Sequence, residues 1–311
     1  MFRDIAVGID GSPASLAAAH WAAREAERRG SGLRIVHAWH RHARPAPYVP
    51  LDRTEHEWAG QLLQEAVRSV RGAHPGLRIT ERLVCGATVA ALVATAADAD
   101  LLVLGSVGLG AVGGFVTGSV SQRVVTRAAR PVVLVRAGRS AADEHLPAAD
   151  GVAPEEIAGT PCREVVLGLD VSHPCDELIE FAFEAARRRG TGLRVVHAFR
   201  TPCGAVSDPS LTIPPAPVPA APAPPALERA EAERTVSAVL RTWREKYPAV
   251  PVTETVTEGR AAVVLVHAVK DAGLLVVGRR TDGRRIGAHT GPVAHAVMHH
   301  AGCPVAVVPH D

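Results

Sequence analysis

The chain contains two copies of one domain-sized sequence. Residues 31–39 (SGLRIVHAW) return 160 positions later as residues 191–199 (TGLRVVHAF), and residues 7–10 (VGID) return at the same distance as residues 167–170 (LGLD). Near the ends of the copies the distance grows to 173, so the second copy has gained 13 residues. A repeat of this length is a duplicated domain and not a solenoid unit.

The length of 311 residues suits two domains, each large enough to bury its own core. We expect the first domain at residues 1–137, a linker at 138–162 and the second domain at 163–311. The extra residues fall in an insertion at 202–226 that holds eight prolines between positions 209 and 225. So many prolines exclude a helix interior or a central strand, and they predict an extended surface segment.

Strand-like and helix-like stretches alternate through the first copy. Strands are predicted at 5–9, 33–39, 78–84, 101–105 and 132–136, and helices at 13–29, 54–72, 87–97 and 119–129. The first, fourth and fifth strands are nearly continuous apolar runs, as expected when both faces of a sheet are covered. The fold class is therefore α/β, with two repeated, doubly wound parallel-sheet domains joined by right-handed crossovers.

A glycine-rich loop follows the fourth predicted strand. Gly105 and Gly108 begin it, and Gly118 and Ser119 end it at the start of a helix. Exposed backbone N–H groups and a helix start together favour an anion, so the loop predicts a phosphate-bearing ligand. Ligands of open α/β sheets bind beyond the carboxyl ends of the strands. If the first and fourth strands are neighbours, Asp10 would face the same crevice and suit ribose hydroxyls.

These residues resemble the universal stress protein family in its tandem two-domain form. Gly105, Gly108, Gly118 and Ser119 match the family signature G-x2-G-x9-G-[S/T] at every position, and Asp10 matches the acidic residue after the first strand. The resemblance implies a Rossmann-like domain of the adenine nucleotide alpha-hydrolase type. It also implies binding of ATP, with or without Mg²⁺, and a regulatory role in stress survival with little catalysis.

The resemblance assigns positions in the first copy to parts of the nucleotide. Those near the base and ribose are Gly8, Ile9, Asp10 and the backbone of Ala38. Those along the ribose and phosphate path are Leu104, Gly105, Val107 and Gly108. Those closing on the phosphates are Gly118, Ser119 and Val120.

The second copy departs from this signature. Asp170, Gly278 and Gly291 are retained, but Thr281 replaces the middle glycine and Pro292 replaces the serine. Proline has neither an N–H nor a hydroxyl donor, so we expect a weak or absent second site. Four nearby arginines could supply compensating charge to a phosphate: Arg279, Arg280, Arg284 and Arg285.

Other classes of function fit the sequence less well. The charge is nearly balanced, with 34 basic and 32 acidic residues, which argues against a general nucleic-acid surface. No apolar run is long enough to span a bilayer, and no signal peptide is evident, so we expect a cytoplasmic protein without membrane contact. His295 and His299 share a helix face, yet no third ligand accompanies them, so no metal site is predicted. His37 and His197 recur at equivalent strand positions and are interpreted as structural.

Three functions remain open. The first is an ATP-binding regulator that switches a partner surface, the second a slow Mg²⁺-dependent ATPase or phosphotransferase, and the third a scaffold for protein interactions with a vestigial nucleotide site. The final strands, near 132–136 and 305–308, are expected to join the two copies as a pseudo-dimer, as the resemblance implies. We also expect the whole chain to form a homodimer and to act on a regulatory protein partner of unknown identity.

Overall fold

The computed structural model of the chain describes residues 3–40, 54–106, 119–147, 160–200, 225–281 and 290–311. The strands of the first half are β1 (Ile5–Ile9), β2 (Leu33–Trp39), β3 (Ile79–Cys85), β4 (Leu101–Ser106) and β5 (Val132–Arg136). Its helices are α1 (Pro13–Arg29), α2 (Glu55–Ala73), α3 (Thr88–Ala97) and α4 (Ser119–Val125).

The second half repeats this order of elements. Its strands are β6 (Val165–Gly168), β7 (Leu193–Phe199), β8 (Val252–Glu258), β9 (Leu274–Arg280) and β10 (Val305–His310). Its helices are α5 (Asp176–Arg189), α6 (Pro225–Lys246), α7 (Ala261–Ala268) and α8 (Pro292–His300).

The ten strands of the described residues form one sheet in the order β3-β2-β1-β4-β5-β10-β9-β6-β7-β8. Within each half the strands are parallel, which confirms the predicted α/β class. The halves meet where β5 and β10 pair antiparallel, with Leu134 opposite Val305. The predicted contact between the final strands is therefore confirmed within one chain.

Helices cover both faces of the sheet. One core cluster holds residues of α1, α2, α5 and α6, with Trp21 and Phe183 as its largest buried side chains. The other holds residues of α3, α4, α7 and α8, including Leu92 and Leu265. Because both faces are covered, every residue of β1 is buried, as its continuous apolar sequence predicted.

Helix α1 has the predicted start and end. Ser12 is its N-cap and accepts a hydrogen bond from the Ser15 N–H at 3.1 Å, and Pro13 fills the first helical position. Gly30 ends the helix in the left-handed conformation, with φ at +61°. The helix therefore begins directly after Asp10 and its short loop.

Several predicted boundaries of β3, β4, α2 and α3 were wrong by one residue, and two others were wrong by more. Helix α4 ends at Val125 and not at residue 129, because the N–H groups of Arg127 and Ala128 both donate to the Val124 carbonyl and close the last turn. At the other boundary, α6 begins at Pro225, so the last two residues of the predicted 202–226 insertion are helical. Proline is compatible with the first turn, where its missing N–H has no partner to lose. Residues 202–224 lie outside the described residues.

The start of the predicted linker packs against the first half. Glu144 ends a short 3-10 helix, Ala142–Glu144, and its side chain is 5% exposed. It accepts hydrogen bonds from Arg24 and from Arg28 of α1, each at 2.6 Å. These bonds fix the chain where it leaves the first half; residues 148–159 lie outside the described residues.

Candidate nucleotide site

Strands β1 and β4 are hydrogen-bonded parallel neighbours, with Gly8 opposite Leu104. The adjacency assumed from the sequence is therefore confirmed. Asp10 follows the carboxyl end of β1, and Gly105 lies near the carboxyl end of β4. β1 also pairs with β2 on its other side, so the direction of strand order changes between β1 and β4. This is the switch point at which open α/β sheets bind ligands.

Asp10 is oriented by the loop that leads into α1. Its Oδ1 accepts a hydrogen bond from the Ser12 N–H at 2.9 Å. Partial desolvation raises the pKa of the Asp10 carboxyl, but hydrogen bonds with Ser12 and Ser15 and the nearby His37 outweigh it and hold the pKa below its ordinary value. The group is ionised at neutral pH and can accept hydrogen bonds from a diol.

Gly105 is a point of close packing. A Cβ placed there would lie 2.6 Å from the Ser15 nitrogen and 2.7 Å from the Ala14 carbonyl carbon, so only glycine lets the start of α1 rest on β4. The Gly105 carbonyl accepts a hydrogen bond from Ser121 Oγ at 3.0 Å, which ties the first turn of α4 to the same strand. The starts of α1 and α4 therefore converge on Gly105.

The remaining predicted residues of the first half fall into three groups. The side chains of Ile9 and Leu104 are buried in the two separate cores, so a ligand could meet these positions only through the backbone. Ala38 lies in β2 directly after His37, the partner of Ile9 in the sheet. The last group begins helix α4 or lies before it: Ser119 is exposed, Val120 is half-buried, and Val107, Gly108 and Gly118 are outside the described residues.

The two equivalent histidines support the strand ends. The His37 Nδ1–H donates to the Ile9 carbonyl at 2.8 Å, and the His197 Nδ1–H donates to the Leu169 carbonyl at 3.0 Å. In both halves the accepting carbonyl belongs to the residue just before the aspartate, Asp10 or Asp170. The structural interpretation of these histidines is confirmed.

The second half contains a cavity of about 570 Å³ at the equivalent place. Asp170 lines it, and its carboxylate lies 3.5 Å from His173 Nδ1 and 3.6 Å from Arg280 Nη2. Asp170 Oδ1 also accepts a hydrogen bond from the Ser172 N–H at 3.1 Å, which repeats the arrangement at Asp10. The other predicted residues of the second half, Gly278 and Gly291, line the same cavity.

Thr281 and Pro292, which replace a glycine and a serine of the signature, do not present free donors to the cavity. The Thr281 N–H and hydroxyl both donate to the His310 carbonyl, at 2.7 Å and 3.1 Å, and the hydroxyl also contacts Asp311. Pairing between β9 and β10 accordingly continues to Arg280 and His310. Gly291, with φ at +75°, precedes Pro292, which begins α8 without an N–H to offer.

Comparison with known proteins agrees with these features. The family model described as "Universal stress protein family" matches residues 1–136 and 161–309. The chain belongs to the universal stress protein family. Universal stress proteins Rv2005c and Rv2623 of Mycobacterium tuberculosis are each 32% identical to it, over 97% of this chain and over 96% and 95% of their own lengths.

A solved structure shows the same fold. A universal stress protein from Archaeoglobus fulgidus covers 100% of both chains with a TM-score of 0.69 and 15% sequence identity. Two repeated Rossmann-like halves are thus a shared architecture of this universal stress protein and that relative.

The expectation that Arg279 of this universal stress protein supplies charge to a phosphate was wrong. Its side chain does not offer free charge to a phosphate, because the guanidinium donates to the carbonyls of Thr126 and Ala128 in the first half, at 3.2 Å and 2.6 Å. A reciprocal bond runs from Arg136 of the first half to the His299 carbonyl of the second. Arg280 faces Asp170 instead, while Arg284 and Arg285 lie outside the described residues.

Sequence reasoning missed several residues of the universal stress protein's second cavity. His173, His310, Thr290 and Thr126 line it, the last from the other half. None of these has a counterpart in the family signature, so no motif pointed to them. Ala198, in contrast, could have been found by carrying Ala38 forward 160 positions.

The described residues form neither a metal-binding cluster nor a membrane-spanning helix. No group of three or more His, Cys, Asp or Glu side chains in this part of the chain is arranged to hold a metal ion. None of the helices described is both long and apolar enough to cross a membrane.

Proposed function

We propose that this universal stress protein binds ATP in its first half and acts as a nucleotide-dependent regulator. The observation that carries the proposal is the position of Asp10 beside the end of β4, across the switch point of the sheet. An ionised carboxylate there suits the ribose hydroxyls, and the glycine-rich loop that follows β4 suits the phosphates. Gly8, Ile9 and Ala38 would border the base through their backbone.

The phosphate part of the proposal depends on α4 and on the loop before it. The bond from Ser121 to the Gly105 carbonyl holds the first turn of α4 at the carboxyl end of β4. Ser119, the first residue of that helix, is exposed and carries a hydroxyl donor. Together with Gly108 and Gly118 of the signature, it would close on the phosphates of ATP, with or without Mg²⁺.

Regulation fits this site better than rapid catalysis. The Asp10 carboxylate accepts a hydrogen bond from the Ser12 N–H, and its pKa is held below its ordinary value, so it is ionised and is a weak general base. We expect hydrolysis far below the roughly 10 s⁻¹ of a median enzyme. A purified protein that turned over ATP at such a rate would favour the ATPase alternative.

Nucleotide occupancy is proposed to change a surface used by another protein. Strands β5 and β10 already pair with each other inside the chain, so a homodimer of the whole chain must use other surfaces. Light scattering of the purified protein, with and without ATP, would measure both the mass of the assembly and its dependence on nucleotide.

The binding experiment is equilibrium dialysis with radiolabelled ATP. Asp10→Asn removes the charge that accepts the ribose hydroxyls, and we expect it to weaken binding by about tenfold or more. Gly118→Glu places bulk and negative charge in the signature loop and should abolish binding. Asp98→Asn, the same chemical change at an exposed residue after α3, is the matched control and should bind ATP like the wild type.

A further inference from the structure

The second-half cavity retains the part of the site that meets a base and a ribose. Gly168, Leu169, Asp170 and Ala198 stand at the positions of Gly8, Ile9, Asp10 and Ala38, and all four line the cavity. Apolar side chains of Val196, Leu265 and Val277 form other walls, which suit a flat base. A volume of about 570 Å³ lies within the range of ordinary small-molecule sites.

Two described signature positions that would meet a polyphosphate chain, those of Thr281 and Pro292, offer it no free donor in the second half. The N–H and the hydroxyl of Thr281 are already bound to the C-terminal strand, through the His310 carbonyl. Pro292 begins α8 with neither an N–H nor a hydroxyl, and Arg279 is buried against carbonyls of the first half. To bind a triphosphate, Thr281 and Arg279 would have to break the hydrogen bonds that they already make. Pro292 has no donor to offer.

Arg280 can still supply a positive charge to a single phosphate group in this cavity. Arg280 lies 3.6 Å from Asp170 Oδ2, a distance that leaves the pair loosely joined. A ribose diol that donates to this carboxylate replaces Arg280 as its partner and releases the guanidinium for a single phosphate group. His173 and His310 also line the cavity and can supply additional imidazole donors.

We propose that this cavity takes a nucleoside monophosphate and discriminates against the triphosphate, whereas the first half is proposed to bind the triphosphate. The choice of adenine as the base rests on the proposed function, because it is carried over from the proposed ATP site at the equivalent positions of the first half. The two halves would then be occupied together, one by ATP and the other by AMP. Such a chain responds to the ratio of the two nucleotides and not to either concentration alone.

The test is dialysis of the full chain against radiolabelled AMP in the presence of saturating unlabelled ATP. We expect one AMP bound per chain beside one ATP. Asp170→Asn should weaken AMP binding by about tenfold or more and leave ATP binding unchanged, while Asp10→Asn should do the opposite. Asp271→Asn, at a side chain that is 88% exposed, is the control for the loss of one carboxylate in this half.

A second variant tests the cause of the selectivity. Thr281→Gly with Pro292→Ser restores the signature residues, and the doubly substituted chain should bind a second ATP that competes with AMP. Its unfolding curve, compared with that of the wild type, checks that the fold is intact. A wild-type chain that binds two ATP, or AMP binding that Asp170→Asn does not affect, would overturn the inference.

The remaining outcomes separate this inference from the proposed function. ATP bound without any AMP overturns the inference alone. AMP bound in an Asp170-dependent way, without ATP, overturns the proposed function and supports the assignment of the second cavity. Neither nucleotide bound overturns both.

Discussion

Glu25 Oε2 of α1 and Arg189 Nη2 of α5 lie 2.7 Å apart and join the two halves through a buried ion pair. Both side chains are almost inaccessible, with exposed fractions of 1% and 2%. Arg29, which stands 160 positions before Arg189, binds the other oxygen of Glu25 at 2.7 Å. Two arginines at equivalent positions therefore share a single carboxylate at the boundary between the halves.

Aromatic rings complete this boundary. The Arg29 guanidinium lies 5.6 Å from the ring centroid of Phe181, and that of Arg189 lies 5.7 Å from the ring of Trp21. Trp21 and Phe181 are also equivalent positions, so each half contributes one arginine and one ring. Cation–π contacts of this kind are strongest where water is excluded.

The ion pair makes stability depend on pH in the acidic range. Burial alone raises the pKa of the Glu25 carboxyl, but Arg189 and Arg29 outweigh it and lower the pKa to about 2. Because the folded pKa is below the ordinary value of 4.5, the stabilisation is complete above pH 4.5 and is lost as the pH falls towards 2. Urea unfolding at a series of pH values should show this loss, and Glu25→Gln should reduce the slope below pH 4.5.

Removal of the carboxylate should have a large cost at neutral pH. Glu25→Ala leaves Arg189 buried without its closest counter-charge, and we expect the free energy of unfolding to fall by about 3–5 kcal/mol. Glu233→Ala breaks an exposed pair with Arg229 on α6 and should cost no more than about 1 kcal/mol. Equal costs for the two variants in urea titrations would contradict a special role for the boundary pair.

Arg279 links the second cavity to the helix that begins at Ser119. Its guanidinium donates to the Thr126 and Ala128 carbonyls just beyond the C-terminal end of α4, where a positive charge also interacts favourably with the helix dipole. Arg279→Met should lower the stability by about 1–3 kcal/mol and weaken ATP binding in the first half. Arg241→Met, at an exposed position of α6, is the control, and an unchanged ATP affinity for Arg279→Met would argue against this link.

Gly105 should not tolerate even the smallest side chain. A Cβ there would lie 2.6 Å from a backbone nitrogen of α1, which cannot move without displacing the whole helix start. We expect Gly105→Ala to reduce the free energy of unfolding by about 1–3 kcal/mol. Gly72→Ala, in α2 with open space around it, should instead be neutral or slightly stabilising, which thermal unfolding would show.

The fold could be predicted from the sequence because its signals are local and occur twice. The limits of β1, β2, β5 and α1 were predicted without error, since Ser12, Pro13 and Gly30 mark the helix and continuous apolar runs mark buried strands. The pairing of the final strands was expected from the family resemblance and not from the residues themselves. The sequence could place Asp10 near the end of β4 because ligands of open α/β sheets bind where the strand order reverses.

The features that sequence reasoning missed depend on contacts between distant residues. The bonds from Thr281 to the C-terminal strand require β9 and β10 to continue beyond the equivalent strands of the first half, and no periodicity reports such an extension. The burial of Glu144 against α1 lies in a segment without periodic pattern. Arg279 was assigned to a phosphate because its charge is visible in sequence, while the carbonyls it binds belong to the other half.

A crystal structure of the protein grown with ATP and Mg²⁺ would test the proposed site by direct observation. We expect ATP at the end of β1 and β4 in the first half, with the ribose on Asp10, the base beside Ala38 and the phosphates near Ser119. A triphosphate bound in the second-half cavity, or no nucleotide in a crystal whose first-half crevice is open to solvent, would contradict it.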